Sequence, residues 1–199
     1  MNHESGSRRS KLDPDEYYVS RSAYKLESVV DKLEIKFRDK TVLDVGSSTG
    51  GFSDYALKHG AAKVIAVEKG TNQLNPKLKL NPRIELHEKT DINNFMPVDS
   101  VDIVLIDVSF TSLKVVLPSI YKWADRTTNI IAMAKPQFEA EDNRLKHNGI
   151  IKNERYRRDV FLSLETWFKK CFVIVVMPPI DWFSLGKVIS FINIKVIMQ

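Results

Sequence analysis

A loop of small residues between two apolar runs constrains the fold of this chain more than any other feature. Residues 41–45 read TVLDV, the sequence GSSTGGF follows, and the next apolar run ends at Glu68. A β-branched run, a small-residue loop and a helical stretch in that order are typical of a βαβ unit. Gly46 and Gly50 permit backbone angles and close approaches that a Cβ would forbid. The pattern predicts two parallel strands joined through a tight turn and a helix.

The spacing of this unit indicates the class of ligand that it would hold. Glu68 lies about 20 residues beyond the loop, where an acid in such units binds ribose hydroxyls. Ser48 stands where the dinucleotide pattern G-x-G-x-x-G has its second glycine. Because that glycine lets the backbone approach a pyrophosphate, a nucleoside without one fits better, and S-adenosylmethionine is such a ligand. A tight turn with no ligand is the alternative interpretation.

Composition limits the class of protein. The chain has 199 residues, 43% of them hydrophobic, which fits one α/β domain with a packed core. Its net charge of +5 fits either a solvated surface or a polyanionic partner. The single Cys171 cannot form an intrachain disulfide, and the histidines lack ligand spacing, so no metal site is expected. No apolar run approaches the roughly 18 residues of a membrane span, and a cytoplasmic location is expected.

Strand-like and helical stretches alternate along the chain, which predicts an α/β fold with a mostly parallel sheet. A flexible basic arm is expected over residues 1–17, followed by one domain over residues 18–199. The last strand is expected to be antiparallel, because it follows a turn near residues 182–186 with no room for a crossover helix. Predicted strands cover residues 41–45, 63–67, 83–87, 102–106, 129–134, 171–177 and 188–198, and predicted helices lie near residues 20–33, 51–59, 112–123 and 153–168.

Polar residues follow four of these strands at the points where the strands end. Glu68, Asp91, Asp107 and Lys135 each come directly or shortly after a strand-like run. Ligands of open α/β sheets bind beyond the carboxyl ends of the strands. We therefore expect these four side chains to line one cleft, with Asp91 near an adenine amino group.

Four motifs in a fixed order resemble those of the TlyA-type, FtsJ-like RNA methyltransferases, often labelled hemolysins. They are YVSRSAYKL from Tyr18, DVGSSTGGF from Asp44, DVSF from Asp107 and KPQFE from Lys135, and the similarity ends near Asn153. The resemblance implies a Rossmann-like class I S-adenosylmethionine-dependent methyltransferase fold. It also implies S-adenosylmethionine as methyl donor and ribose 2′-O-methylation of RNA, most often ribosomal RNA.

The resemblance also implies the roles of individual residues. Lys25, Asp107 and Lys135 match the catalytic positions of the family, with Lys135 as the expected base, Lys25 beside it and Asp107 orienting both. A lysine can accept a proton when burial and a second cation lower its pKa. The expected donor-binding residues are Asp44, Gly46, Ser47, Ser48, Thr49, Gly50, Gly51, Phe52, Glu68, Asp91 and Asp107. Among these, Asp44 is expected to fix the loop backbone or to meet the amino group of the donor.

The chain departs from the family pattern in two places. The relatives carry a fourth catalytic residue, a Glu, after the penultimate strand, whereas no Glu follows Glu165 here and Asp181 has the wrong offset. TlyA-type proteins begin with a small RNA-binding domain, and residues 1–17 are too short to form one. These departures leave two alternatives: a catalytically weakened donor-binding or RNA-binding protein, or a ribosome-assembly factor. A small-molecule methyltransferase fits the Lys-Asp-Lys set and the basic charge less well.

The predicted partner is RNA, either ribosomal RNA or ribosomal subunits, with no membrane partner. The basic cluster at residues 152–158 either is a solvated helix face or contacts phosphate. Glu139 and Glu141 are expected to be solvated loop acids, within a mobile loop over residues 135–153 that could close over substrate. Some aromatic side chains are candidates for stacking on an unpaired base, with core packing as the alternative: Phe110, Phe138, Trp182 and Phe183.

Overall fold

The computed structural model describes residues 17–140, 151–171, 173–176, 180–184 and 187–197. The predicted arm lies outside these ranges except for Tyr17. The strands are β1 (Thr41–Val45), β2 (Lys63–Val67), β3 (Ile84–His87), β4 (Ile103–Ile106), β5 (Asn129–Ala134), β6 (Val173–Val176), β7 (Ile180–Ser184) and β8 (Lys187–Ile197). The helices are α1 (Ser22–Val30), α2 (Gly51–Lys58), α3 (Pro76–Lys79), α4 (Leu113–Ile120), α5 (Pro136–Glu139) and α6 (Glu154–Cys171), with a 3₁₀ turn at Ile92–Asn94.

The strands form one sheet in the order β3-β2-β1-β4-β5-β8-β6, and β7 pairs with β8. Strands β1 to β5 pair with one another in parallel, as predicted. After β1, the chain adds β2 and β3 on one side of β1. It then crosses to the other side of β1, where it adds β4 and β5. The connections after β1 and β4 therefore diverge, and this reversal opens a crevice at the carboxyl ends of those strands.

The segment that contains β7 and β8 includes one difference from the prediction. Strand β8 runs antiparallel to β5, β6 and β7. Residues 182–184 of the predicted turn belong instead to strand β7, with Trp182 opposite Ile189, and residues 185–186 lie outside the described residues. Ile, Trp and Phe are residue types enriched in strands, which favours a strand over a turn in this segment. Helix α6 extends to Cys171, where the sequence pattern predicted the start of a strand.

Alternate residues of the central strands supply two apolar layers, one on each face of the sheet. Val42 and Val64 pack with Leu26 of α1 and with the apolar side of α2. Leu43 and Ile65 belong to the opposite layer, under α4 and α6. The sheet is thus covered on both faces, which leaves its strand ends as the natural place for a ligand.

Helix α6 attaches its apolar side to the second layer. Leu164 and Phe168 are fully buried there, whereas Leu162 on the same helix is 52% exposed. The helix has 18 residues and carries several charged side chains. Among the residues that the structure describes, no helix combines the length and the apolar character needed to cross a bilayer.

Replacing Phe168 with Ala should lower the free energy of unfolding by about 3–5 kcal/mol, because the change leaves a cavity under α6. Leu162→Ala on the same helix is the matched control and should change it by less than about 0.5 kcal/mol. Urea unfolding followed by circular dichroism measures both values. Equal effects of the two substitutions would contradict the described packing of α6.

Candidate functional site

The loop after β1 has the backbone conformation that its glycines predict. Gly46 and Gly50 have φ angles of 79° and 91°. A Cβ on Gly46 would lie 3.0 Å from the carbonyl oxygen of Asp107, so the loop passes close to the end of β4. The amides of Gly46 and Ser47 both donate to the carbonyl of Val67, at 2.9 and 3.2 Å. The loop is therefore fastened to β2 and lies against β4.

Glu68 holds the same loop through its side chain. One carboxylate oxygen accepts a hydrogen bond from the amide of Ser48 at 2.9 Å. The other accepts from the amide of Gly70 at 2.7 Å. Each carboxylate oxygen has a second lone pair, so Glu68 can still accept hydrogen bonds from a ligand. The predicted ribose-binding acid thus lies at the end of β2 and also orders the loop.

A cavity of about 560 Å³ opens beyond the ends of β1, β2 and β4. This volume lies in the range typical of sites for small organic ligands. Several predicted residues line it, namely Gly46, Ser48, Glu68, Asp91 and Asp107. It is also lined by Gln73, Asn93 and Thr111, which the sequence reasoning missed because polar residues in connecting segments have no periodic signal.

Asp91 lies in the wall of this cavity and is already paired. Its carboxylate lies 2.8 Å from the ammonium of Lys69 and accepts the amide of Asn93 at 2.9 Å. The hydrogen bond from Lys69 and the one from Asn93 hold the pKa of Asp91 below its usual value. Asp91 is therefore an anion that presents its remaining acceptor capacity to the cavity, which fits its predicted position near an adenine amino group.

A second hollow of about 160 Å³ adjoins the first. Gly46, Ser48, Asp107 and Ser109 line both. The second hollow is also lined by Ser47, Thr49 and Phe52, which were predicted, and by Ser20 and Ser22, which were not. Within the described ranges, no group of three or more His, Cys, Asp or Glu side chains gathers so as to hold a metal ion.

Asp44 is a buried acid in the wall of the second hollow, only 1% exposed. One oxygen accepts a hydrogen bond from the hydroxyl of Ser53 at 2.6 Å, and the other is buried with no hydrogen-bond partner among the described residues. The pKa of Asp44 is raised to about 7, mainly by burial and also by the charges of Asp107 and Glu68, while the hydrogen bond from Ser53 lowers it in part. The side chain thus fixes the start of α2 and keeps one oxygen for a cationic partner.

Lys135 and Asp107 meet at the border of the two hollows. The ammonium of Lys135 lies 2.6 Å from the Asp107 carboxylate, and the two side chains are 12% and 17% exposed. Lys135 also donates to the carbonyl of Val108 and to the hydroxyl of Ser109, both at 2.9 Å. The ammonium group of Lys135 thus has two hydrogen-bond acceptors and one ion-pair partner. The expected convergence of the ends of β4 and β5 is therefore present.

Helix α1 lies against the start of α2. A Cβ on Gly51 would fall 1.9 Å from the hydroxyl oxygen of Ser22 and 3.1 Å from the amide of Ala23, so a larger residue would displace α1. This approach places Ser20 and Ser22 over the second hollow. Lys25 lies one turn beyond Ser22 and is partly buried. Its catalytic role stays a prediction.

Two expectations about the segment after β5 need correction or restriction. Glu139 is not a solvated acid: it is 6% exposed and accepts hydrogen bonds from the Ser112 hydroxyl at 2.6 Å and the Leu113 amide at 2.9 Å. The short helix α5 turns it inward, and this depends on contacts with a distant segment. Residues 136–139 of the predicted mobile loop are thus packed, while Glu141 and its neighbours up to residue 150 lie outside the described residues.

The aromatic candidates separate into different environments. Phe110 is 75% exposed at the rim of the larger cavity, and its ring centroid lies 5.2 Å from that of the buried Phe138. Trp182 and Phe183 belong to strand β7 instead of a loop at a strand end. Phe110 is therefore the candidate whose exposed ring adjoins the cavity.

Comparison with known proteins identifies similar chains. The sequence matches the family described as FtsJ-like methyltransferase over residues 18–180. It is 35% identical over 155 residues to the 16S/23S rRNA (cytidine-2′-O)-methyltransferase TlyA of Mycobacterium tuberculosis, covering 76% of this chain and 58% of that protein. The chain spans about half to three fifths of the length of the first curated relatives that it matches.

Solved structures resemble the fold as well. The crystal structure of a candidate hemolysin from Lactococcus lactis matches with a TM-score of 0.82 and 31% identity, covering 90% of this chain and 88% of that chain. A structure described as an S-adenosylmethionine dependent methyltransferase from Listeria monocytogenes matches with a TM-score of 0.64 and 18% identity, over 89% of this chain and 100% of that chain. The second match shows a shared methyltransferase fold.

The raised pKa of Asp44 makes stability depend on pH. In the unfolded chain the carboxyl titrates near its ordinary value of about 4, so between about pH 4 and pH 7 the folded state binds more protons. The stability that this proton contributes is present at low pH and is lost as the pH rises through about 7. Asp44→Asn cannot titrate, so the variant should gain roughly 2 kcal/mol over wild type between pH 5 and pH 7.

Urea unfolding at several pH values measures this difference. Because the comparison is between the variant and wild type, the titration of other groups cancels. A difference in unfolding free energy that stays constant from pH 5 to pH 8 would contradict the raised pKa.

Proposed function

The chain belongs to the FtsJ-like methyltransferase family, and we propose that it transfers a methyl group from S-adenosylmethionine to a ribose 2′-hydroxyl of RNA, with ribosomal RNA as the substrate. The observation that carries the proposal is the contact of Lys135 with Asp107 at the border between two adjoining hollows. One hollow has the size of a nucleoside site, and the paired side chains lie where it meets the second.

The residues of the two hollows fit the donor. Glu68 offers acceptor oxygens to ribose hydroxyls, and Asp91 offers one to an adenine amino group. The partnerless oxygen of Asp44 suits the ammonium group at the amino-acid end of the donor, because a buried carboxylate is costly without a partner. The ammonium group of the donor would thus meet a complementary acid, and its ribose and adenine would meet hydrogen-bond acceptors of the chain.

The chain's own residues would handle the proton of the acceptor. S-adenosylmethionine supplies an electrophilic methyl group on a sulfonium. A ribose hydroxyl attacks that group well only if its proton leaves during the attack. Lys135 would accept that proton in its neutral amine form, after its ammonium group has released one proton to solvent. Asp107 orients Lys135 through their 2.6 Å contact, and its negative charge would favour the sulfonium of a bound donor. Lys25, on α1, assists by its positive charge. Alignment of oxygen, methyl and sulfur supplies much of the remaining rate.

Several features support RNA as the acceptor. TlyA of Mycobacterium tuberculosis is by its name a ribosomal RNA methyltransferase. The exposed ring of Phe110 stands at the cavity rim, where an unpaired base can stack. The exposed basic side chains Lys152, Arg155 and Arg158 near the start of α6 are candidates for phosphate contacts.

A second candidate function is a donor-binding or RNA-binding protein without turnover, such as a ribosome-assembly factor. The absence of any Glu after Glu165 favours it, since the family places its fourth catalytic residue there. This candidate predicts that S-adenosylmethionine binds in calorimetry and that RNA is not labelled.

Incubating the protein with methyl-labelled donor and ribosomal RNA should label ribose 2′-oxygens. Lys135→Ala and Lys25→Ala should each lower the rate at least about 100-fold, which is the usual size of a general acid–base contribution. Lys122→Ala is the matched control, because Lys122 is exposed beyond the opposite end of α4. Full activity in Lys135→Ala would overturn the assigned base. Donor binding without labelling by the wild type would establish the second candidate.

A further inference from the structure

The loop between β4 and α4, residues 108–112, forms one wall of the cleft, and we refer to it as the acceptor loop. Ser109 lines both hollows, and Phe110 and Thr111 line the larger one. Phe110 has a φ of 65°, a left-handed conformation that costs a residue with a Cβ about 1–2 kcal/mol. Its ring is mostly exposed, so burial does little to offset that cost. Other contacts must hold the loop in this shape.

The segment from Lys135 to Glu139 supplies those contacts at both ends of the acceptor loop. Lys135 donates to Val108 and Ser109 at the first end. Glu139, one helical turn later, accepts from Ser112 and from the amide of Leu113 at the far end. Between them, the ring of Phe138 lies against that of Phe110. The acceptor loop is thus clamped to α5 and to the residue that precedes α5.

Hydrogen bonds and the electrostatics of a helix start stabilise the Glu139 end of this clamp. A buried carboxylate is unfavourable unless hydrogen bonds satisfy it, and both oxygens of Glu139 accept one. Its partners form the start of α4, where free amides and the helix dipole favour negative charge. The Ser112 hydroxyl in turn accepts the amide of Lys114 at 3.0 Å. Without the Glu139 carboxylate, the buried Leu113 amide would lose the acceptor that fixes it.

We propose that Glu139 is a positioning residue for the acceptor substrate: by fixing Ser112 and Leu113, it sets where Ser109 and Phe110 stand, and so how tightly the cleft binds the acceptor nucleotide. This inference rests on the proposed function. The residues at the two ends of the clamp have different roles. Lys135 handles the proton, whereas Glu139 touches no reacting atom and acts through the acceptor loop.

Glu139→Gln tests the inference, because the amide keeps the shape of the side chain but offers only one acceptor oxygen. Hydrogen exchange of the full-length protein should become at least about tenfold faster at the amides of residues 109–113 and stay unchanged in β1 and β2. Glu154→Gln, at an exposed position in the first turn of α6, is the matched control and should leave exchange at residues 109–113 unchanged.

In steady-state assays, Glu139→Gln should raise KM for ribosomal RNA about tenfold, while kcat and the affinity for S-adenosylmethionine stay within about twofold. Ser112→Ala, which removes one of the two hydrogen bonds, should give a smaller rise in KM. Faster exchange throughout the domain, or a parallel loss of donor affinity, would assign Glu139 a general structural role and overturn the inference. Unchanged exchange at residues 109–113 would also overturn it.

Failure of the proposed function is distinguished from failure of the inference by the labelling of RNA by the wild-type protein. If the wild-type protein labels no RNA, that function fails, and the inference about an acceptor substrate fails with it. The exchange pattern would then report only whether the clamp orders the loop.

Discussion

Parallel pairing of β1 with β2 on one side and β4 on the other aligns the ends of three strands. Val45 lies opposite Val67 and Ile106, so the residues that follow these three positions share one edge of the sheet. Gly46, Glu68 and Asp107 are those residues, and each lines the larger cavity. Strands β2 and β4 lie on opposite sides of β1. The segment after β1 therefore runs toward β2 and the segment after β4 runs toward β5, which leaves a cleft between the two segments. The site is a consequence of that topology.

The cleft collects charges that a protein interior disfavours. Asp107, Lys135 and Glu139 each have a specific partner, which offsets the cost of removing them from water. Asp44 differs from them, because its buried oxygen Oδ1 has neither a hydrogen bond nor a cation beside it among the described residues, and its pKa is raised. Strongly perturbed acids in clefts are typical of functional sites. A bound cation would offset the unfavourable burial of the Asp44 carboxylate.

The segment that enters α1 completes the second hollow, and it is fastened independently of the sheet. The amide of Val19 donates to the Asp54 carboxylate at 2.9 Å, and the ammonium of Lys58 bonds the same carboxylate and the carbonyl of Tyr17. Since Asp54 and Lys58 belong to α2, these bonds tie the entry of α1 to the helix that begins at the glycine loop. The Gly46 loop, the segment that enters α1 and the acceptor loop thus form three walls, each held by its own contacts.

Local sequence pattern determined the elements from which this site is built. The β-branched runs, the positive-φ glycines of the loop and the acids and lysine that follow the strands are each visible in a few consecutive residues, because periodicity and turn chemistry are local properties. For that reason β1 to β5, the conformation of the Gly46 loop and the convergence of Glu68, Asp91, Asp107 and Lys135 on one edge could be predicted.

Tertiary structure alone decided which partner each of these groups meets. The pairing of residues 180–184 with β8, the inward turn of Glu139, the exposure of Phe110 and the partnerless oxygen of Asp44 have no local signature. Each depends on segments far apart in the chain whose relative position is set by packing. A carboxylate looks the same in sequence whether water, an amide or an ammonium faces it, and only the folded chain selects among them.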